Sequence, residues 1–165
     1  MRAVLRCSRA VVVGLLALLG GCGFHLQGSY PMPRSLAVVH IDAIDTQSDF
    51  YIGMRKALLA SGTRLDDAGS DASAATLHIL TDSAKQTIVT VSALNVPTEY
   101  ELSYTVRFSV DANGRQLLAP EQRVLLRDYS YSESAQLAKQ REAAILTTAL
   151  ARELTAVVMR RLASL

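Results

Sequence analysis

The chain has no tryptophan, only three phenylalanines and only two cysteines in 165 residues, and each shortage removes a class of design. Leu, Val, Ala and Ile must supply most of any core. The cysteines, Cys7 and Cys22, both fall near the start, so nothing downstream can be stapled by a disulfide or can hold zinc through thiolates. Histidine is equally scarce, with His25, His40 and His78 far apart in sequence, and no pair has metal-ligand spacing. The motifs of a nucleophile elbow, a phosphate-binding glycine loop and a metalloprotease helix are all missing. Residues 134–165 contain neither proline nor glycine, which removes the usual causes of a helix break.

What is present begins with an export pattern. Arg2, Arg6 and Arg9 form a basic head, followed by an uncharged, largely apolar stretch over 10–21. That is the layout of a secretory signal, and it falls short of the roughly 20 apolar residues needed to span a bilayer. The stretch closes as Leu19-Gly20-Gly21-Cys22, which resembles the bacterial lipobox. Small residues let the peptidase approach the backbone, and the thiol becomes a thioether to diacylglycerol. Residues 1–21 are therefore expected to be a lipoprotein signal peptide. Cys22 is expected to carry S-diacylglycerol and N-palmitoyl groups. Residue 23 is Gly rather than Asp, which points to a periplasm-facing anchor in the outer membrane.

Removing the signal changes the charge balance. Loss of Arg2, Arg6 and Arg9 leaves fourteen of the 17 basic residues against 15 acidic ones. No basic excess remains to bind nucleic acid. Residues 22–35 read as a lipidated tether, because Gly28 and the pair Pro31 and Pro33 favour an extended path. Residues 36–165 have the size of one domain with a substantial core.

Within that domain, residues 36–41 predict a β-strand. Thr46 with Asp49 resembles a capping box that opens a helix. Phe50, Met54, Ala57, Leu58 and Ser61 share one face of that helix, and Gly62 ends it. Residues 66–74 read as a loop. A strand over 75–81 resumes at 87–91, after a polar interval. Strict alternation then runs from Tyr100 to Asp111, with Tyr100, Leu102, Tyr104, Val106, Phe108 and Val110 on one face. Asn113-Gly114 is the favoured pair for a type I′ hairpin. The returning strand runs through 124–131, with Pro120 marking an edge or a bulge. Leu137, Ala144, Ala151 and Val158 recur every seven residues; with Leu150, Leu154 and Val157 they make a long amphipathic helix. The predicted fold class is α+β, in the order β-α-β-β-β-α. Two helices pack on one face of a roughly four-stranded, largely antiparallel sheet.

Few residues suggest chemistry. Glu99 and Glu101 share a strand face, as acid-base pairs do, although solvated carboxylates are the commoner outcome there. His40 and His78 fall inside predicted strands, where a packed or surface role outweighs a ligand role. Tyr129 and Tyr131 share a face suited to lipid, sugar, a partner or simple core cover. No enzyme, cofactor or metal site is expected, and an envelope hydrolase is disfavoured because no nucleophile-base pair can be assembled.

Three short motifs occur in order: Cys22-Gly23-Phe24-His25-Leu26, Glu99-Tyr100-Glu101-Leu102, and Leu137-Ala138-Lys139. With the element order, they make the chain resemble the LPS-assembly lipoprotein LptE family over nearly its whole length. That resemblance implies a non-enzymatic outer-membrane lipoprotein. Such a protein plugs the LptD β-barrel, helps it assemble, and assists lipopolysaccharide delivery to the outer leaflet. It also implies contact with the lipopolysaccharide phosphates through basic side chains. Lys139 stands at the matching position, where a solvated lysine is an equal alternative. The family's second basic point falls in the loop at 93–97, which carries no charge here, leaving Arg107 and Arg127 as nearby substitutes. The alternative reading is an auxiliary outer-membrane lipoprotein of another envelope lipid-transport system.

Overall fold

The computed structural model describes residues 30–130 and 136–165, with side chains in the second segment from 141 onward. The expected signal, Cys22, His25 and Tyr131 lie outside the described residues, as does the side chain of Lys139. A single 3-10 turn at Arg34–Leu36 leads into β1 (Val38–Ala43), followed by α1 (Asp49–Ala60), β2 (Arg64–Leu65), β3 (Ala75–Val91), β4 (Pro97–Ala112), β5 (Arg115–Ser130) and α2 (Gln136–Ala163). The expected α+β class and order are found. The sheet has five strands rather than four, because two residues after α1 pair with β1.

The strand order is β2-β1-β3-β4-β5. Strand β1 runs parallel to β2 and to β3, while β3, β4 and β5 form an antiparallel meander. The first strand begins two residues later than expected, since the 3-10 turn takes Leu36. The strand at 75–81 does not stop and resume. It is continuous for 17 residues and absorbs its irregularity as register shifts after Ile79 and Ile88. Strand β1 pairs β3 only from Ala75 to Ile79. Beyond that point the sheet is a three-stranded ribbon whose β3 edge has no partner strand among the described residues.

Local sequence explains the joints. The capping box expected at Thr46 gives way to Ser48, whose hydroxyl accepts from the Tyr51 N–H at 3.0 Å. The Ser48 backbone is extended (φ −63°, ψ 150°), as an N-cap requires. Gly62 ends α1 at φ +86°. The Gly62 N–H donates to Leu59 O and the Thr63 N–H to Leu58 O, the paired bonds of a glycine-terminated helix. Asn113 and Gly114 both take positive φ, 52° and 70°, as a type I′ turn demands. Pro120 lies on edge strand β5 where the register slips from Phe108↔Glu121 to Val110↔Leu118. It occupies a bulge where no ladder donor is needed.

One face of the sheet is covered by both helices. Phe50, Met54 and Leu58 of α1 meet Leu150, Leu154 and Val158 of α2, over the alternating row from Tyr100 to Val110. The helices approach closely at Gly53, where an added Cβ would stand 2.9 Å from the Thr155 hydroxyl. Tyr30 and Met32, at the start of the described residues, pack partly against this core. The seven-residue spacing holds for Ala151 and Val158, whereas Ala144 and neighbouring Ile145 are exposed. A 28-residue helix is about 42 Å long, and its described side chains are deeply buried only from Leu150 onward.

Candidate functional site

Opposite the helices, the sheet presents a second face that no element covers among the described residues. Alternation decides its composition, because the apolar set of β4 points to the helices and the polar set points out. Glu99, Glu101, Ser103, Thr105, Arg107 and Asp111 form the central row. Register places Thr81, Ser83, Lys85 and Thr87 beside them on β3, and Gln122, Val124, Leu126 and Asp128 on β5. The face is rich in hydroxyls and carries both signs of charge. Lys85 was missed in the sequence because its segment reads as an interruption between strands.

Charges divide this face along its length. Glu101 stands directly opposite Asp128, and Glu99 accepts a hydrogen bond from the Thr90 hydroxyl at 2.6 Å. The two glutamates do share a face, as expected. Glu99 is held by Thr90, and no histidine, lysine or serine nucleophile is joined to either in the described hydrogen bonds. At the other end, His78 bridges three strands. Its Nδ1 lies 2.9 Å from Asp42 and its Nε2 3.2 Å from Asp111. His40 contacts the Asp66 carbonyl at 2.7 Å and packs under the loop at Gly69, where an added Cβ would come within 3.1 Å of its ring. Both histidines fasten neighbouring elements. No group of three or more metal-ligating side chains gathers among the described residues.

The basic candidates are separated. Arg107 is exposed on the outer face, opposite Thr81 and Gln122. Arg127 stands opposite Leu102, on the side of the helices, and forms an ion pair with Glu153 at 3.1 Å. A β-strand sends successive side chains to opposite faces, so Arg107 and Arg127 do not converge. Lys139 lies in the first turn of α2. Tyr129 is buried and stacks on Tyr100, with ring centroids 5.6 Å apart, so it covers the core.

Two polar networks hold this framework. The Asp82 carboxylate sits on the helix side, opposite Val106. It accepts from the Tyr104 hydroxyl at 2.7 Å and from the Ser48 hydroxyl that caps α1. Burial first, and the Asp82 hydrogen bond second, push the Tyr104 phenol well above its ordinary value. On β5, Glu121 is gripped by Arg161 at 2.8 Å and Arg123 at 2.6 Å. The Arg161 hydrogen bond is the main cause holding the Glu121 carboxyl below the usual carboxylate range. Sequence periodicity gave no sign of either network, since each joins residues from distant elements.

The chemistry available is that of a binding surface: hydroxyls, mixed charge and long strand edges. No described helix is long and apolar enough to cross a membrane. Known proteins agree with this architecture. A family model described as LptE, lipopolysaccharide-assembly, matches residues 36–162. The LPS-assembly lipoprotein LptE of Pectobacterium atrosepticum is 25% identical over 153 residues, covering 92% of this chain and 83% of that one. Among solved structures, rare lipoprotein B from Shewanella oneidensis superposes with a TM-score of 0.67 at 24% identity, covering 77% of this chain and 94% of that one. Lipoprotein B from Nitrosomonas europaea gives 0.69 at 21% identity, covering 86% and 91%.

Proposed function

The chain belongs to the LptE lipopolysaccharide-assembly family, and from that premise we propose that it is an outer-membrane lipoprotein that plugs and helps assemble an LptD-like β-barrel, assisting lipopolysaccharide delivery to the outer leaflet. The observation that carries this reading is the extent of the family match. Residues 36–162 take in every strand and nearly all of the last helix. The anchor in this proposal is Cys22, lipidated after removal of residues 1–21, with the domain facing the periplasm.

The geometry suits a plug. The lumen of a membrane barrel is polar, and the uncovered sheet face offers hydroxyls and charges of both signs to such a wall. The protein acts by binding in this reading, without catalysis, metal or cofactor beyond the lipid on Cys22. Lipopolysaccharide phosphates are met by Lys139 and by Arg107 on the outer face. Arg127 ranks behind them because Glu153 already engages its guanidinium.

The test is capture through a C-terminal tag from detergent-solubilised envelopes. A large outer-membrane barrel at one-to-one stoichiometry is expected. Recovery of the lipoprotein alone, together with normal barrel assembly in its absence, would overturn the proposal.

A further inference from the structure

The free edges of the sheet are not alike. Beside β1 the edge closes early, because β2 is two residues long and His40 bonds the following loop at Asp66. Strand β5 carries Pro120 and five charged residues from Arg115 to Asp128. Two of those charges are tied to α2, through Arg161 to Glu121 and through Glu153 to Arg127. Short length, proline and charge are the usual protections against an added strand. The remaining edge belongs to β3 beyond Ile79, where its pairing with β1 stops. From Ser83 to Ile88 it has no proline, no glycine and a single charge, Lys85.

This stretch has the regularity that pairing needs. Its register with β4 is unbroken from Thr81↔Arg107 to Ile88↔Tyr100, with shifts just outside both ends. Alternate residues of such a strand turn both N–H and C=O away from β4. Every residue from Ser83 to Ile88 is exposed. Ala84, Gln86 and Ile88 stand opposite Tyr104, Leu102 and Tyr100, on the helix side. They are exposed there because α1 starts at the level of Asp82, which bonds its capping Ser48. A neighbouring chain can therefore lie beside β3 without meeting α1. An open backbone ladder of this kind is matched by another extended chain, as in strand addition.

The side chains specify the kind of segment. Its helix-side row would lie beside Ala84 and Ile88 and favours apolar residues, whereas its outer row would face Ser83, Lys85 and Thr87. Lys85 forms no ion pair among the described residues, and opposite charges across neighbouring strands attract. A second copy pairing through the same stretch would instead bring two Lys85 side chains toward each other, which like charges oppose. We propose that residues 83–88 of β3 receive an extended segment of the barrel partner, with alternating apolar and polar side chains and a carboxylate opposite Lys85. Strands of a closed barrel wall are already paired on both sides, so the segment lies outside that wall. This inference rests on the plug reading and names a contact within it.

The test is photocrosslinking within the captured complex. A benzophenone amino acid is placed in turn at Ser83, Ala84, Gln86 and Thr87 of the full chain, all exposed positions. The crosslinked partner residues are then mapped by mass spectrometry. Strand addition predicts that all four sites reach one partner segment. The attachment point should move four residues between Ser83 and Thr87, and two between Ala84 and Gln86. Lys85→Glu is expected to lower the yield from Ser83 and Thr87 by about two- to five-fold, the effect of one cross-strand charge pair. Attachment scattered over several segments, attachment to β3 of a second copy, or an unchanged yield from the Lys85→Glu chain would each overturn the proposal. Capture of a barrel with no such stepwise attachment overturns this inference alone. Failure to capture a barrel overturns the plug reading and this inference with it.

Discussion

Replacing Asp82 with alanine removes a carboxylate that joins β3, β4 and the start of α1. The Tyr104 hydroxyl then loses its acceptor inside a side chain that is only 4% exposed. Orphaning a buried neutral donor costs about 1–3 kcal/mol. Ser48 is only half-buried and keeps its cap bond to Tyr51, so its lost partner adds about 0.5–1 kcal/mol. The sum is about 1.5–4 kcal/mol. For a domain of this size each kcal/mol moves Tm by about 2–4 °C, so the Tm followed by far-ultraviolet circular dichroism should drop by about 3–16 °C. The decisive variant is the double Asp82→Ala, Tyr104→Phe. It removes donor and acceptor together and should be less destabilised than the sum of the two single changes by about 1 kcal/mol or more. If the two losses add to within about 0.5 kcal/mol, the energy does not reside in the hydrogen bond and the account is refuted.

Other outcomes follow from single features. Gly114→Ala places a Cβ at φ +70° and should cost about 1–2 kcal/mol, visible as a lower urea midpoint with an unchanged slope. Leu154→Ala empties a fully buried site between the helices and the sheet and should cost about 2–5 kcal/mol in the same measurement. Glu121 titrates below its ordinary value of 4.5 in the folded chain because of Arg161. Its stabilising contribution is therefore complete above that value and is lost as the pH falls through the lower folded one. Glu121→Gln should thus narrow the difference in Tm between neutral and acidic buffer, and an unchanged difference would discount the ion pair. Lys139→Ala should weaken binding to lipopolysaccharide in a direct titration while leaving barrel capture intact; unchanged binding would assign Lys139 to solvent.

Where periodicity and turn chemistry act locally, the sequence was a good guide to the fold. The alternation from Tyr100 to Asp111, the Asn113-Gly114 turn, the Gly62 stop and the Pro120 bulge each follow from a residue's own backbone or face preference. The misread positions are those where partners come from far away. Ser48 outcompetes Thr46 as the cap in a structure where Asp82, 34 residues later, accepts its hydroxyl. The polar interval after Thr81 reads as a break because Asp82 is charged, yet Tyr104 and Ser48 neutralise the cost of placing it toward the helices. Strand β2 has two residues, too few for any period to register. The candidate site divides in the same way. Lys139 and the Glu99–Glu101 motif are visible as local patterns. The opposed directions of Arg107 and Arg127 depend on register, which a single strand does not reveal.

The contact between the two helices has a consequence in time. The Thr148 hydroxyl donates to Asp49 across 99 positions, and the residues that fill the core from α2 belong to the last sixteen of the chain. Domains emerge N-terminus first during synthesis. Until Leu150 to Leu162 are available, α1 and the row from Tyr100 to Val110 have no lid, and the meander waits with its apolar face uncovered. The hairpins can form early because their contacts are close in sequence, whereas closure comes last and all at once. Interruption just before residue 150 would therefore leave an adhesive open sheet rather than a slightly smaller domain. Chaperone holding is most needed in that interval.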